Sequence, residues 1–374
     1  MNIFDFTTQD PILGLKFDSH LIPEVSNCTT HTFHHYSAGE STTQTIEHNL
    51  TWAQTGVGTP SFQFLYVMLP TTCNQRCVGC FTGQDKSRLP PQLHGPFYSK
   101  KELKEIMEFA VAHGVKAIVY GGGGELFTWP HAFDYIRMIH SYGLKTVIFT
   151  NGSLLQPGDV KRLYDLDVSL IISLRDTVEK YHNQAVGRNH FRRSINAIHQ
   201  AMQCKMHLEG RLAVEIPVTR QNQERILQDF LPVMRQLGIA PMVEEYILIS
   251  ASSTERKCAH SFSEARQFFR RMKRVDEKMG ILWQPETGQR MLGEPKCRRP
   301  LYSFAIYPSG DIMDCPSHSI CYGNFKQTPI SEVVYSQRFR QSILDYQYCP
   351  CSVFYTETED QIPMNLPPYL RRES

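Results

Sequence analysis

Apolar positions fall into two alternating rhythms after residue 61. Residues 62–69 (FQFLYVML), 115–120 (VKAIVY), 144–150, 168–173 (VSLIIS), 211–219 and 241–249 are short apolar runs, the pattern of buried strands. Between them, residues 99–113, 131–142, 158–166, 191–202 and 223–237 read as helices. The first of these helices opens on a capping box, Ser99 with Glu102 three places on, and buries Leu103, Ile106, Met107 and Ala110 on one face. Gly114 ends it. Strands alternating with helices at this spacing predict parallel strands joined by crossovers. The expected fold class is therefore α/β, a partial (β/α)6 parallel barrel over residues 61–252. Barrels of this kind place their chemistry on the loops that follow the strands.

The rhythm is missing on either side. Residues 1–60 carry Thr, His and Ser clusters such as Thr29, Thr30, His31 and Thr32. They read as an irregular extension without a convincing amphipathic helix. Residues 253–283 contain a strongly charged helical stretch, 261–279, that reads as a connector. Residues 304–307 and 311–315 flank Pro308-Ser309-Gly310, a hairpin turn signal. A small, cysteine-rich β unit is thus expected at 284–356, followed by a tail at 357–374.

Composition narrows the function class. The chain has 374 residues and is 41% hydrophobic, enough for a large core without disulfide staples. A formal net charge of +2 argues against a nucleic-acid surface. No apolar run is long enough to span a membrane, and residues 1–9 lack the pattern of an export signal. A reducing cytoplasm is the expected compartment. Eleven cysteines then need another explanation, and their spacing gives one: three crowd into 73–80 and five into 297–351. Clustering of this kind in a cytoplasmic protein points to metal. Cys28, Cys204 and Cys258 stand alone and read as small core residues. His31, His34 and His35 read as surface residues rather than ligands.

Cys73-Asn-Gln-Arg-Cys77-Val-Gly-Cys80 follows the first strand, on an active-site loop of the expected barrel. Three thiolates can ligate three irons of a four-iron cluster and leave the fourth open. A zinc loop or incidental buried thiols are the alternatives, although zinc usually closes with four ligands in paired spacing. The CxxxCxxC loop after a first strand resembles the signature of the radical SAM superfamily. That resemblance implies a [4Fe–4S] cluster on Cys73, Cys77 and Cys80, with S-adenosylmethionine (SAM) chelated by the open iron. It further implies reductive SAM cleavage to a 5′-deoxyadenosyl radical, the cofactor supplying the hard chemistry and the protein the orientation. One departure stands out. Family members often carry an aromatic residue before the third cysteine, beside the adenine; here that position is Gly79, and Phe81 follows.

Further motifs lie in family order along the barrel. Gly121 to Gly124 and Glu125 follow the second strand and do not fit a Rossmann fingerprint. They resemble the family's GGE motif, which implies SAM contacts from Gly122, Gly123, Gly124 and Glu125; a plain flexible turn is the alternative. Thr150-Asn151-Gly152 resembles the family's TNG, assigning Asn151 to the cofactor, or is an ordinary strand-to-helix turn. Ile172-Ser173-Leu174-Arg175-Asp176 resembles the SLDG segment of members with SPASM or twitch extensions, with Arg175 inserted before the acid. Ser173 is then expected at the SAM ribose. Val218-Thr219-Arg220-Gln221-Asn222 also resembles that subgroup, and a helix N-cap by Asn222 explains it equally well.

The second cluster extends the resemblance. Cys297, twelve residues, Gly310, four residues and Cys315 match the opening of SPASM and twitch domains. Gly323-Asn324, residues 330–334 and Phe339 resemble the segment that follows. Five cysteines are available there: Cys297, Cys315, Cys321, Cys349 and Cys351. Four saturate one [4Fe–4S] cluster, so one auxiliary cluster is expected on Cys297, Cys315, Cys349 and Cys351, with Cys321 as competitor. A structural zinc is the alternative.

The expected function is hydrogen abstraction from a substrate carbon, oxidising or epimerising a small-molecule natural-product intermediate. The alternatives are a maturase acting on a ribosomally made peptide or protein side chain, and a non-catalytic metal-binding scaffold. The expected partners are a small-molecule or peptide substrate and a reducing electron donor such as flavodoxin or ferredoxin, with no nucleic acid and no membrane. No general base or hydrogen donor is legible.

Overall fold

The computed structural model describes residues 40–80, 96–121, 123–246, 257–281, 298–316 and 320–346. Six apolar runs form parallel strands in chain order: β1 (Phe64–Val67), β2 (Ala117–Tyr120), β3 (Lys145–Thr150), β4 (Val168–Ser173), β5 (Leu212–Val218) and β6 (Ala240–Glu245). β1, β2 and β5 are buried at every position, as strands covered on both faces must be. The crossovers carry α2 (Lys100–Ala112), α3 (Ala132–Ser141), α4 (Asp159–Asp165), α5 (Glu179–Val186) and α6 (Phe191–Gln203). The capping box at Ser99 forms as expected: Glu102 N–H donates to Ser99 Oγ at 3.2 Å, and Ser99 N–H to Glu102 Oε2 at 2.6 Å. The partial barrel is thus present, and all its strand C-termini share one end.

The expected single helix at 223–237 forms, with a π-helical segment inside it. α7 (Gln223–Arg225) and α8 (Leu231–Gln236) flank a wide turn over Ile226–Phe230. Pro232 has no N–H to continue a regular ladder, and a π turn absorbs the defect. The charged helix α9 (Phe262–Lys278) is more than a connector. It buries Phe268, Phe269 and Met272, and Asp276 accepts both Arg235 Nε (3.0 Å) and Nη2 (2.7 Å) in the interior.

Two features depart further from the expectation. Residues Glu40–Thr55 form a helix, α1, where an irregular extension was expected. Its inward face is partly polar: Thr42, Thr45 and Asn49 are buried beside Ile46, Trp52 and Ala53. Asn49 Nδ2 donates to Ser61 O (2.7 Å) and Leu301 O (2.9 Å), and its Oδ1 accepts Ser61 N–H (2.9 Å). A helix seated through amide bonds leaves no apolar period to read. The second departure is the position of the C-terminal strands. β7 (Ser303–Ile306) pairs in parallel with β1, and β8 (Asp311–Met313) and β9 (Cys321–Asn324) follow antiparallel. Among the described residues the order is β6-β5-β4-β3-β2-β1-β7-β8-β9 in one nine-stranded sheet. The hairpin unit therefore extends the barrel sheet, closed by α10 (Ile330–Tyr335) and α11 (Gln337–Leu344).

Candidate functional site

The chain leaves β1 and crosses the C-terminal end of the strands as loop 68–80. Cys73, Cys77 and Cys80 are half-buried on it, with no disulfide. The loop is tied by its backbone. Arg76 N–H donates to Val186 O and Val78 N–H to Ala185 O, both at 2.9 Å, at the end of α5. Gln75 is buried and points inward. Its N–H lies 3.4 Å from Cys73 Sγ, and its Oε1 accepts the Cys77 thiol at 3.4 Å. Asn74 bridges to the third strand: its Nδ2 donates to Ser153 Oγ (2.8 Å) and its Oδ1 accepts Asn151 Nδ2 (2.9 Å).

The glycine run after β2 braces this loop. A side chain on Gly123 would collide with the Leu69 carbonyl, and one on Gly124 would stand 2.6 Å from Thr72 O. The close approach that these glycines permit is to the cysteine loop itself. Gly122 lies outside the described residues. Glu125 is 2% exposed. Its carboxylate accepts Thr150 Oγ1 (2.7 Å), Asn151 N–H (2.8 Å) and Phe127 N–H (3.3 Å), and its own N–H donates to Thr72 O (2.9 Å). Burial pushes the Glu125 carboxyl up, and these donors pull it back. Cysteine loop, GGE and TNG thus form one hydrogen-bonded unit, with Asn151 Oδ1 also accepting Ser153 N–H and Oγ.

Strand β4 supplies the charge. Ser173 ends it, half-buried and opposite Glu215 of β5. Arg175 lies beyond, and its guanidinium hydrogen-bonds Cys77. Burial pushes the Cys77 thiol up, and the Arg175 cation works against that. Burial also opposes charge on Arg175, but Cys77, Glu215 and Cys80 hold it protonated. Three bonds pin its backbone neighbourhood: Leu174 N–H to Glu215 O (2.8 Å), Arg175 N–H to His182 Nδ1 (3.2 Å) and Asn222 Nδ2 to Arg175 O (3.2 Å). Asn222 therefore ties β4 to β5 with its side chain and makes no side-chain cap on α7. Asp176, the acid of the segment, is paired with Arg225 at 2.6 Å.

Sequence reasoning missed Arg175 and Tyr246 as a pair. Gly79 has φ +68°, and any Cβ there would collide with the hydroxyl of Tyr246, just past β6. Tyr246 is buried and also lies in the field of Arg175. The signals were the two departures from the family pattern, Gly79 and Arg175, which meet at Tyr246.

The donor set suits a cluster. Three half-buried thiols, one of them bonded by a fixed cation, match what a thiolate-ligated four-iron group requires. Among the described residues, no three His, Cys, Asp or Glu side chains are grouped as a metal site. In the C-terminal unit Cys315 is buried and Cys321 half-buried, where burial raises its thiol pKa. Cys321 pairs in register with Met313, two residues before Cys315. Cys297, Cys349, Cys351, Cys28, Phe81, His31, His34 and His35 lie outside the described residues.

Residues 67–229 match the sequence model of the radical SAM superfamily, over the strands and loops just described. This part of the chain is a radical SAM domain. Residues 297–353 match SPASM, an iron–sulfur cluster-binding domain, so this radical SAM chain also carries a SPASM domain. A relative in Flammeovirga pacifica, an S-adenosylmethionine-dependent nucleotide dehydratase, is 30% identical over 168 residues, 42% of this chain and 54% of that protein. A second, the tungsten-containing aldehyde ferredoxin oxidoreductase cofactor-modifying protein of Pyrococcus furiosus, is 26% identical over 191 residues, 50% of this chain and 52% of that one. The chain spans about half the length of these curated relatives. Among solved structures, Streptococcus suis SuiB bound to precursor peptide SuiA shares the fold, with TM-score 0.60 and 15% identity, over 85% of this chain and 78% of SuiB. No described helix of the radical SAM chain is long and apolar enough to cross a membrane.

Proposed function

We propose that this chain reductively cleaves SAM and abstracts a hydrogen atom from a carbon of a small-molecule substrate, which it oxidises or epimerises. The observation that carries the reading is the three-cysteine loop, tied by Asn74, Gln75 and Glu125 across the strand C-termini beside Arg175. Cys73, Cys77 and Cys80 would hold a [4Fe–4S] cluster, with one iron left for SAM. The chemistry supplied there is one-electron cleavage of a carbon–sulfur bond, which yields a 5′-deoxyadenosyl radical. The chain's own residues orient and shield. Arg175 offsets thiolate charge in a half-buried site. Glu125, Asn151 and Asn74 fix the loop against β2 and β3, and Gly123 sets its backbone path. Gly122, Gly123, Gly124, Glu125, Asn151 and Ser173 are the residues assigned to SAM.

An auxiliary [4Fe–4S] cluster is assigned to Cys297, Cys315, Cys349 and Cys351, with Cys321 as the competing ligand. A one-electron acceptor there would make the outcome an oxidation, with loss of a proton, and a returned electron together with a proton from solvent an epimerisation. The names of the two curated relatives above refer to small molecules, a nucleotide and a cofactor, which supports a small-molecule substrate. The test is anaerobic reconstitution with SAM, dithionite and separate panels of small molecules and peptides. A small molecule that raises 5′-deoxyadenosine yield and transfers deuterium into it is the expected result. Deuterium transfer from a peptide alone would replace this substrate class.

A further inference from the structure

The outer edge of the cysteine loop is open to solvent. Val78, between Cys77 and Cys80, is 46% exposed. Arg76 and Val78 lie along the last turn of α5, which ends at Gly187 in the left-handed region (φ +63°). A Cβ on Gly187 would stand 3.3 Å from Arg76 O. Next to it opens a cleft of about 550 Å³ lined by Lys180, Asn183, Gln184, Gly187, Arg188 and Asn189.

This surface is basic although the whole chain is close to neutral, at +2. Arg76, Lys180, Arg188 and Arg193 are exposed, and none has a carboxylate partner among the described residues. The two neighbouring acids are engaged, Glu179 with Arg192 at 3.2 Å and Asp176 with Arg225 at 2.6 Å. The patch also connects inward. Arg188 and Arg193 both bear on His190, whose Nδ1 is 3.5 Å from Gln75 Nε2, and Gln75 Oε1 accepts the Cys77 thiol.

The proposed reaction needs one electron from outside for each SAM cleaved. Electron transfer weakens steeply with distance, so a donor must dock where ligand sulfur lies nearest the surface. We propose that the Arg76–Val78–Lys180–Arg188 surface docks an acidic, low-potential electron-carrier protein, with its redox centre facing Val78. The carrier loses one electron and the group held by Cys73, Cys77 and Cys80 gains it; no bond forms or breaks. The four cations steer an acidic partner, and Val78 gives it an apolar contact point. This inference rests on the radical SAM reading above.

The test uses reconstituted full chain, with reduced flavodoxin as the protein donor and dithionite as the small one. In Lys180→Glu/Arg188→Glu, flavodoxin-driven 5′-deoxyadenosine formation and flavodoxin affinity should each fall about ten-fold or more at low salt. Dithionite-driven formation should stay within about two-fold, because a small reductant needs no docking surface. Lys180→Arg/Arg188→Lys should keep all three values, and added salt should weaken flavodoxin binding to the unaltered chain. Unchanged flavodoxin affinity and rate in the charge-reversed pair, or equal losses with both reductants, would overturn the docking surface. Absence of 5′-deoxyadenosine with either reductant in the unaltered chain would instead overturn the SAM-cleavage reading, and the affinities would still test the surface.

Discussion

The two cysteine-bearing regions of the sheet are built in opposite ways. In loop 68–80 three thiols fall within eight residues, and side chains from the ends of β2, β3 and β4 brace them. In the C-terminal unit five cysteines are spread from 297 to 351. Of the two described, Cys321 lies on β9 and Cys315 two residues past β8, in a hairpin that hangs on β1 through β7. The first site gathers its ligands in one short loop, braced by hydrogen bonds to residues 77 and 79 positions away. The second depends on a strand pairing between residues about 240 positions apart. A short motif identifies a ligand set where the ligands themselves are close in sequence.

The largest expected effect separates the two regions by their iron. Reconstituted protein should hold about eight irons, and the triple variant Cys73→Ala/Cys77→Ala/Cys80→Ala about four, with no SAM cleavage. Cys315→Ala should keep uncoupled SAM cleavage and lose product. Zinc in the triple variant, measured by elemental analysis, would recast the C-terminal unit as structural. Twelve irons in the unaltered chain would mean a second auxiliary cluster.

Phe304 tests whether the regions share one core. It is fully buried on β7, edge-on to Phe62 of the barrel at 5.0 Å and to Phe339 of α11 at 6.0 Å. Phe304→Ala should cost about 3–5 kcal/mol, with one cooperative urea transition by both near- and far-UV circular dichroism. Two transitions, with the barrel's unmoved, would make the C-terminal unit a separate domain.

Asn49→Ala should cost about 2 kcal/mol in the same assay, because three backbone groups, one buried and two half-buried, lose their partner. A loss under about 0.5 kcal/mol would show that α1 is not integral to the sheet's support.

His182 gives a smaller, pH-dependent effect. Burial first, then Arg175 and His190, lowers its pKa from 6.5 to about 3. The unfolded chain takes up the proton near its ordinary value while the folded chain resists, so stability is present above pH 6.5 and lost as pH falls. Between pH 7 and pH 5 the loss should be about 2 kcal/mol. His182→Gln should flatten that part of the profile; an unchanged slope would remove His182 from the site's support.

Much of the barrel is legible in the sequence because each unit carries its own local signal. β4 falls on residues 168–173 as the apolar run predicts, and Ser99 and Glu102 mark the start of α2. α5 and α1 are missed for different reasons. α5 is short and mostly polar, and α1 buries threonines and an amide. The β1–β7 pairing has no local signature at all. The cysteine loop is legible as a motif, while its brace is not. That Glu125 would bond Asn151, or that Tyr246 would fill the space over Gly79, depends on which strand ends meet. The useful hint was deviation: Gly79 and Arg175 stand where the family pattern differs, and each is explained by a neighbour from another strand.

The central claim is that loop 68–80 cleaves SAM. The most direct measurement is 5′-deoxyadenosine yield by mass spectrometry, from anaerobically reconstituted protein with SAM and dithionite. The unaltered chain should form it, and Cys73→Ala, Cys77→Ala and Cys80→Ala should each form none while circular dichroism shows a folded barrel. Normal yield from any one of the three single variants would contradict the assignment.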